Sequence, residues 1–141
     1  MEIRELKWGN ECTEKLLLEF KNRLENSSRT FRYFEKRDFS VIQNHLYTIV
    51  MVEDNQVVGY AHLDKENETV WLGIALIEGF TGKGYGNILM TSLMGYAKNH
   101  TINEVFLTVD SNNIGGINLY EKYGFKRIEE NGEILKYRWS R

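Results

Sequence analysis

TVWLGIALIEGFTGKGYGNILMTSLMGYAKNHTINEVFLTV, residues 69–109, decides how this chain is read. It opens on a β-rich run, 69–77, and passes through a glycine-rich loop, 78–83. A helical stretch, 84–100, follows, with Ile88, Leu89, Leu93 and Tyr96 on one apolar stripe. A second β-rich run, 104–109, closes the unit. Strand, loop, helix and strand in that order imply a parallel pair joined by a right-handed crossover. Within the loop, Gly82, Gly84 and Gly86 alternate with Thr81, Lys83, Tyr85 and Asn87. Glycine at every second position lets the main chain curl and approach a ligand closely. The first N–H groups of the helix that follows have no intrahelical partner, and the positive end of its dipole lies behind them. Such a turn suits phosphate oxygens.

Two nucleotide motifs fail here. A Walker A loop places glycine, four residues, then Gly-Lys-Ser/Thr. In this chain Gly82-Lys83 is followed by Gly84, and Ile77 stands where the opening glycine belongs. The dinucleotide pattern G-x-G-x-x-G requires a third glycine where Asn87 or Leu89 stands.

Working outward, residues 57–64 and 47–53 are β-rich and separated by Asp54-Asn55-Gln56, while 65–68 form another polar turn. With 69–77 they read as an antiparallel meander of three strands. Upstream, Leu16, Leu17, Phe20 and Leu24 recur at three- and four-residue spacing after Asn10, which predicts a capped helix. Residues 2–8 are expected to form a short first strand. The aromatic segment 30–46 should hold one or two short helices. Downstream, 115–123 reads as a short helix. Strands 125–129 and 133–139 flank Asn131-Gly132, the strongest short hairpin signal. The expected fold is therefore α/β (α+β), a single domain over 1–141. Its sheet is mixed and twisted, in the order β-α-α-β-β-β-α-β-α-β-β.

The 141 residues carry a net charge of -2, with 42% hydrophobic and 27% charged residues, an ordinary globular balance. That charge argues against a nucleic-acid partner. No apolar run approaches the roughly 20 residues that span a bilayer, so no membrane partner is expected. The N-terminus has early charges and no apolar run, which points to a cytoplasmic protein. Cys12 is the single cysteine, which excludes an internal disulfide. His45 and His100 show no metal-ligand spacing, and no metal site is expected.

Residues 109–125, VDSNNIGGINLYEKYGF, add a second element. Together with Gly84-Tyr85-Gly86, Asn113 and the run Leu119-Tyr120-Glu121-Lys122-Tyr123-Gly124-Phe125, the sequence resembles the GNAT superfamily of N-acetyltransferases. The resemblance is firm over residues 47–129. It departs at Thr81, where the family prefers Arg or Gln; Lys83 nearby can supply positive charge. It implies acetyl-CoA as the acyl donor, with the diphosphate of coenzyme A on the N–H groups of residues 82–87. The pantetheine arm would lie along Ala75 and Leu76, in a gap where that strand splays from its parallel neighbour. Asn113 would touch the cofactor or brace the loop. A homodimer through sheet edges is also compatible with the family.

The implied chemistry is attack of a primary amine on a thioester. An alkyl amine with a pKa of about 10 is mostly protonated at neutral pH, so a base or water chain must take the proton. Carbonyl oxygen needs a donor, and a main-chain N–H near Leu76 is expected there. The leaving thiolate gains from a proton donor. Tyr120, at the family's tyrosine position, is the candidate; its alternative role is core packing. The strand positions where some family members carry a glutamate offer only Glu68 at a margin and Thr108. His62 is the first candidate base, sharing a face with Val58, Tyr60 and Asp64; its alternative is a structural histidine. Asp64 and Glu78 are further candidates, as bases or as anchors for an ammonium group. Tyr33, with Arg32 and Arg37, is a candidate wall of the acceptor pocket. The leading acceptor is a small amine such as an amino sugar or amino acid. The alternatives are a protein N-terminus or lysine, a non-catalytic acyl-CoA-binding module, and a nucleotide-phosphate binder.

Overall fold

Residues 1–24, 33–34, 37–77, 79–80 and 82–141 are described in a computed structural model of the chain. The three central runs pair as an antiparallel meander: β2 (His45–Glu53), β3 (Gln56–Glu66) and β4 (Thr69–Leu76). Both of its turns are two-residue connections. Asp54 and Asn55 have φ of 51° and 64°, and Asn67 and Glu68 have 48° and 71°. Positive φ at both central positions marks the primed turn that matches the twist of the flanking strands. β1 (Glu2–Glu5) adds antiparallel to β2 and is shorter than the expected 2–8, because Leu6 turns away into the core.

Helix α2 (Tyr85–Asn99) carries the chain from β4 to β5 (Glu104–Asp110), which lies parallel to β4. Helix α3 (Ile114–Lys122) precedes the hairpin of β6 (Lys126–Asn131) and β7 (Ile134–Ser140). The turn of that hairpin is Gly132-Glu133, one residue beyond the expected Asn131-Gly132. Gly132 takes the positive φ of 64°, while Asn131 stays in the ladder opposite Ile134. The seven strands run β1-β2-β3-β4-β5-β7-β6, with β4–β5 the parallel pair among them. The mixed sheet and crossover expected from the sequence are both present.

Each face of the sheet buries its own core. On one, Leu89, Met90, Leu93, Met94 and Ala97 of α2 and Tyr120 of α3 pack on Ile49, Leu63 and Leu107. On the other, Leu17, Phe20 and Leu24 of α1 (Glu11–Leu24) join Phe34 and Ile42 over Val50, Tyr60 and Ala75. Asn10 starts α1 as expected, its Oδ1 accepting the Cys12 N–H at 2.9 Å. Cys12 itself is exposed. The aromatic segment yields a 3-10 helix, Phe39–Asn44, capped by Asp38; 25–32, 35 and 36 lie outside the described residues.

One strand face departs from simple alternation. Met51 pairs with Gly59 but Val52 pairs with Val57, so Val58 is an extra residue in β3. Such a bulge switches the side chain to the other face. Val58 consequently packs with the α2 core, whereas Tyr60, His62 and Asp64 look towards α1. The expectation that Val58 shares the face of His62 is corrected by this bulge.

Candidate active site

Ile77 N–H donates to Val58 O at 2.9 Å, and Leu76 stands opposite Gly59. In that antiparallel register Leu76 belongs to a pair that does not exchange hydrogen bonds, so its N–H and C=O point away from β3, towards β5. Ile74 does the same by alternation. Yet register between β4 and β5 is recorded only at Trp71–Phe106. Past that point the two strands part, and the main chain of Ile74 and Leu76 faces the gap.

A cavity of about 370 Å³ occupies the parting. Gly73 and Ile74 line it from β4, His62, Asp64 and Glu66 from β3, and Thr108 and Asp110 from β5. Asn113, Tyr120, Tyr33 and Arg37 also line it. Volume and composition suit a small ligand held by a few polar groups.

His62 is buried at 2% exposure, with Nδ1 at 2.6 Å from the Tyr60 hydroxyl. Burial, then the nearby His45 and Arg37, push its pKa well below the usual value. The ring is neutral at physiological pH and able to accept a proton. In the tautomer whose Nδ1–H donates to Tyr60, the Nε2 lone pair is turned to Gly73. That glycine stands directly across the ladder from His62, and a Cβ there would fall 2.5 Å from Nε2. β4 thus leaves a slot that the imidazole from β3 fills.

The ring of Tyr120 is buried in the α2-side core, while the residue borders the cavity. Its side chain makes no hydrogen bond among the described residues. Burial raises its pKa well above the ordinary phenol value, so the O–H is retained at all working pH. Asn113 lines the cavity as well, and its Oδ1 accepts the Gly116 N–H at 3.0 Å as the cap of α3.

The glycine turn forms the start of α2. Gly84 is its N-cap at φ 82°, and Gly82 has φ 75°. A Cβ added at either would meet no atom within 4 Å, so the space above this turn is open. Ile88 N–H donates to Gly84 O, and among the described residues the N–H groups of 82–87 donate to no acceptor. Open space and N–H groups without acceptors are what an anion needs at such a turn. Two side chains expected in it are engaged elsewhere. The Tyr85 hydroxyl is shared between both oxygens of Glu53 at 2.9 Å. Asn87 Oδ1 accepts from Lys122 Nζ at 2.8 Å, and its carbonyl accepts from the Tyr123 hydroxyl at 2.9 Å. Lys83 rests its ammonium 5.2 Å over the Phe80 ring. Ala75 is buried against α1, and its neighbour Leu76 presents the free backbone edge. Thr81 and Glu78 lie outside the described residues.

The sequence profile of the acetyltransferase (GNAT) family matches residues 10–125. The chain belongs to that family. It is 29% identical over 80 residues to the ribosomal protein bS18-alanine N-acetyltransferase of Haemophilus influenzae, covering 56% of this chain and 54% of that one. With the spermine/spermidine N(1)-acetyltransferase of Bacillus subtilis it shares 33% identity over 75 residues, 50% of this chain and 49% of the other. The chain thus aligns with about half the length of these curated relatives. The PaiA N-acetyltransferase of Thermoplasma acidophilum, solved in complex with coenzyme A, superposes with a TM-score of 0.71 at 21% identity. That alignment covers 99% of this chain and 98% of the other, and shows a shared fold.

Sequence reasoning missed two members of the site. Gly73 gives no signal until the register sets it against His62, and Asp110 becomes visible only once β5 borders the cavity. Arg37, expected with Tyr33 and Arg32 in a wall of the acceptor pocket, lines the cavity beside Tyr33, while Arg32 lies outside the described residues. Among the described residues no group of His, Cys, Asp and Glu could hold a metal ion.

Proposed function

We propose that this GNAT chain, as one domain over 1–141, transfers an acetyl group from acetyl-CoA to a primary amine of a small molecule by direct attack. The observation that carries this reading is the parting of β4 and β5. It exposes the Leu76 backbone edge beside a cavity bordered by a neutral imidazole and a phenol. Main-chain N–H groups of 82–87 hold the diphosphate, and the pantetheine arm runs along the β4 edge from Leu76 towards Ile74. Acetyl-CoA supplies the thioester. His62 Nε2 takes the proton lost by the amine as the new C–N bond forms. Leu76 N–H donates to the carbonyl oxygen as it gains charge, an interaction worth several kcal/mol in comparable sites. The Tyr120 O–H protonates the departing sulfur, and solvent restores the phenol. Asp64 and Tyr33 hold the acceptor in place.

The test is thiol release from acetyl-CoA across a panel of amines. Release that requires an amine and falls on His62→Gln supports the transfer. Tight coenzyme A binding with no release for any acceptor would make the chain a binding module instead.

A further inference from the structure

Three side chains of β3 step along one face of the cavity: His62, Asp64 and Glu66. Alternate residues of a strand share a face and are spaced by about 6.6 Å. One step from the base there is a carboxylate, and two steps away there is another.

Asp64 is the unusual member. It is only 5% exposed, it lines the cavity, and among the described residues it has no ion pair. Its Oδ2 accepts the Tyr33 hydroxyl at 3.0 Å. The same hydroxyl lies 2.7 Å from His45 Nε2, and His45 Nδ1 lies 2.7 Å from Thr48 Oγ1. Tyr33 has one hydrogen to give. If it goes to Asp64, His45 must donate from Nε2 and Thr48 must donate to Nδ1. Every donor in the row then points towards Asp64. Burial lowers the pKa of His45 to about 4, in keeping with the neutral ring this row requires. Asp64 thus has one hydroxyl donor and no ion pair among the described residues, which suits it to a cation entering the cavity.

The rest of the cavity agrees. Its other charged residues are Glu66 and Asp110, against Arg37, whose guanidinium stacks 4.3 Å over the Tyr33 ring and donates to the Tyr33 carbonyl. Lys136 sits over Trp71 and Phe106, outside the cavity lining.

We infer that the acceptor is a linear diamine or polyamine, with its reacting amine at His62, a second ammonium on Asp64 and a third, when present, at Glu66. Four methylenes between two nitrogens reach about 6 Å with bonds of about 1.5 Å, close to one step of the strand. An amino sugar brings one ammonium and leaves Asp64 unpaired. The inference rests on the transfer reaction proposed above.

Initial rates with saturating acetyl-CoA test it, using n-butylamine, 1,4-diaminobutane, spermidine, glucosamine and an alanine-terminated peptide. The diamine should exceed butylamine in kcat/KM by about tenfold or more, mainly through KM, since tenfold corresponds to a single modest ionic contact. Asp64→Asn should erase that advantage without weakening coenzyme A. Glu66→Gln, at an exposed position, should lower kcat/KM for spermidine more than for the diamine. Butylamine matching the diamine, glucosamine or the peptide surpassing both, or an advantage that survives Asp64→Asn would overturn the assignment. Failure of every amine while coenzyme A still binds would instead overturn the transfer reaction, and the acceptor class with it.

Discussion

Gly73 and His62 share one volume across two strands. A side chain at 73 would stand 2.5 Å from Nε2 and 2.7 Å from Cε1 of the imidazole, contacts that no real Cβ sustains. Gly73→Ala should therefore displace the ring. Steady-state kinetics should show kcat down at least about tenfold, within the range that positioned bases contribute, with coenzyme A affinity retained. Full activity in that variant would remove His62 from the chemistry. Tyr120→Phe keeps the buried ring and deletes only the O–H. It should slow turnover by about 10- to 100-fold while thermal stability and coenzyme A binding stay near wild type. An equally active Tyr120→Phe would leave the residue as packing alone.

At the scale of elements, the turn into α2 is where sequence and geometry meet. Gly84 holds φ 82°, where a β-branched residue is strained by about 1–2 kcal/mol and would project into the open space above the turn. Gly86 is constrained from the other side, since a Cβ there would lie 2.9 Å from Leu119 Cδ2 on α3. Titration calorimetry should find coenzyme A binding weakened at least about tenfold by Gly84→Val, and by Gly86→Val through displacement of α3. The elements themselves were legible because period-2 and 3.6-residue patterns are local, and the alternating glycines named the turn. What stayed hidden depends on pairing between distant segments. The bulge that turns Val58 over, the hydroxyl of Tyr85 reaching Glu53, and Asn87 tied to Lys122 and Tyr123 are such cases. So is the slot at Gly73, which looks like any glycine within a strand until its partner across the ladder is known.

For the whole molecule, the buried imidazole of His62 and the partly buried one of His45 make stability depend on pH. Both His45 and His62 have folded pKa values below the ordinary 6.5. The unfolded chain therefore binds more protons than the folded one between that value and the lowered one, and stability rises with pH across this window. Above about pH 6.5 the contribution is complete. It is lost as pH falls to about 4, where His45 titrates. For His45 alone the loss amounts to about 3 kcal/mol at most. Tm should fall steeply between pH 6.5 and 4, and His45→Gln should flatten that fall; a Tm independent of pH over this range would contradict the lowered pKa of the two rings.

The clasp of a diphosphate by the amides opening α2 is tested most directly by calorimetry with two donors that differ only there. Acetyl-CoA carries the diphosphate, and acetyl-pantetheine has the same arm and thioester without it. Acetyl-CoA should bind at least about a hundredfold more tightly to the wild-type chain, an advantage that Gly84→Val largely abolishes. Equal affinity for the two donors, or an advantage untouched by Gly84→Val, would contradict the account.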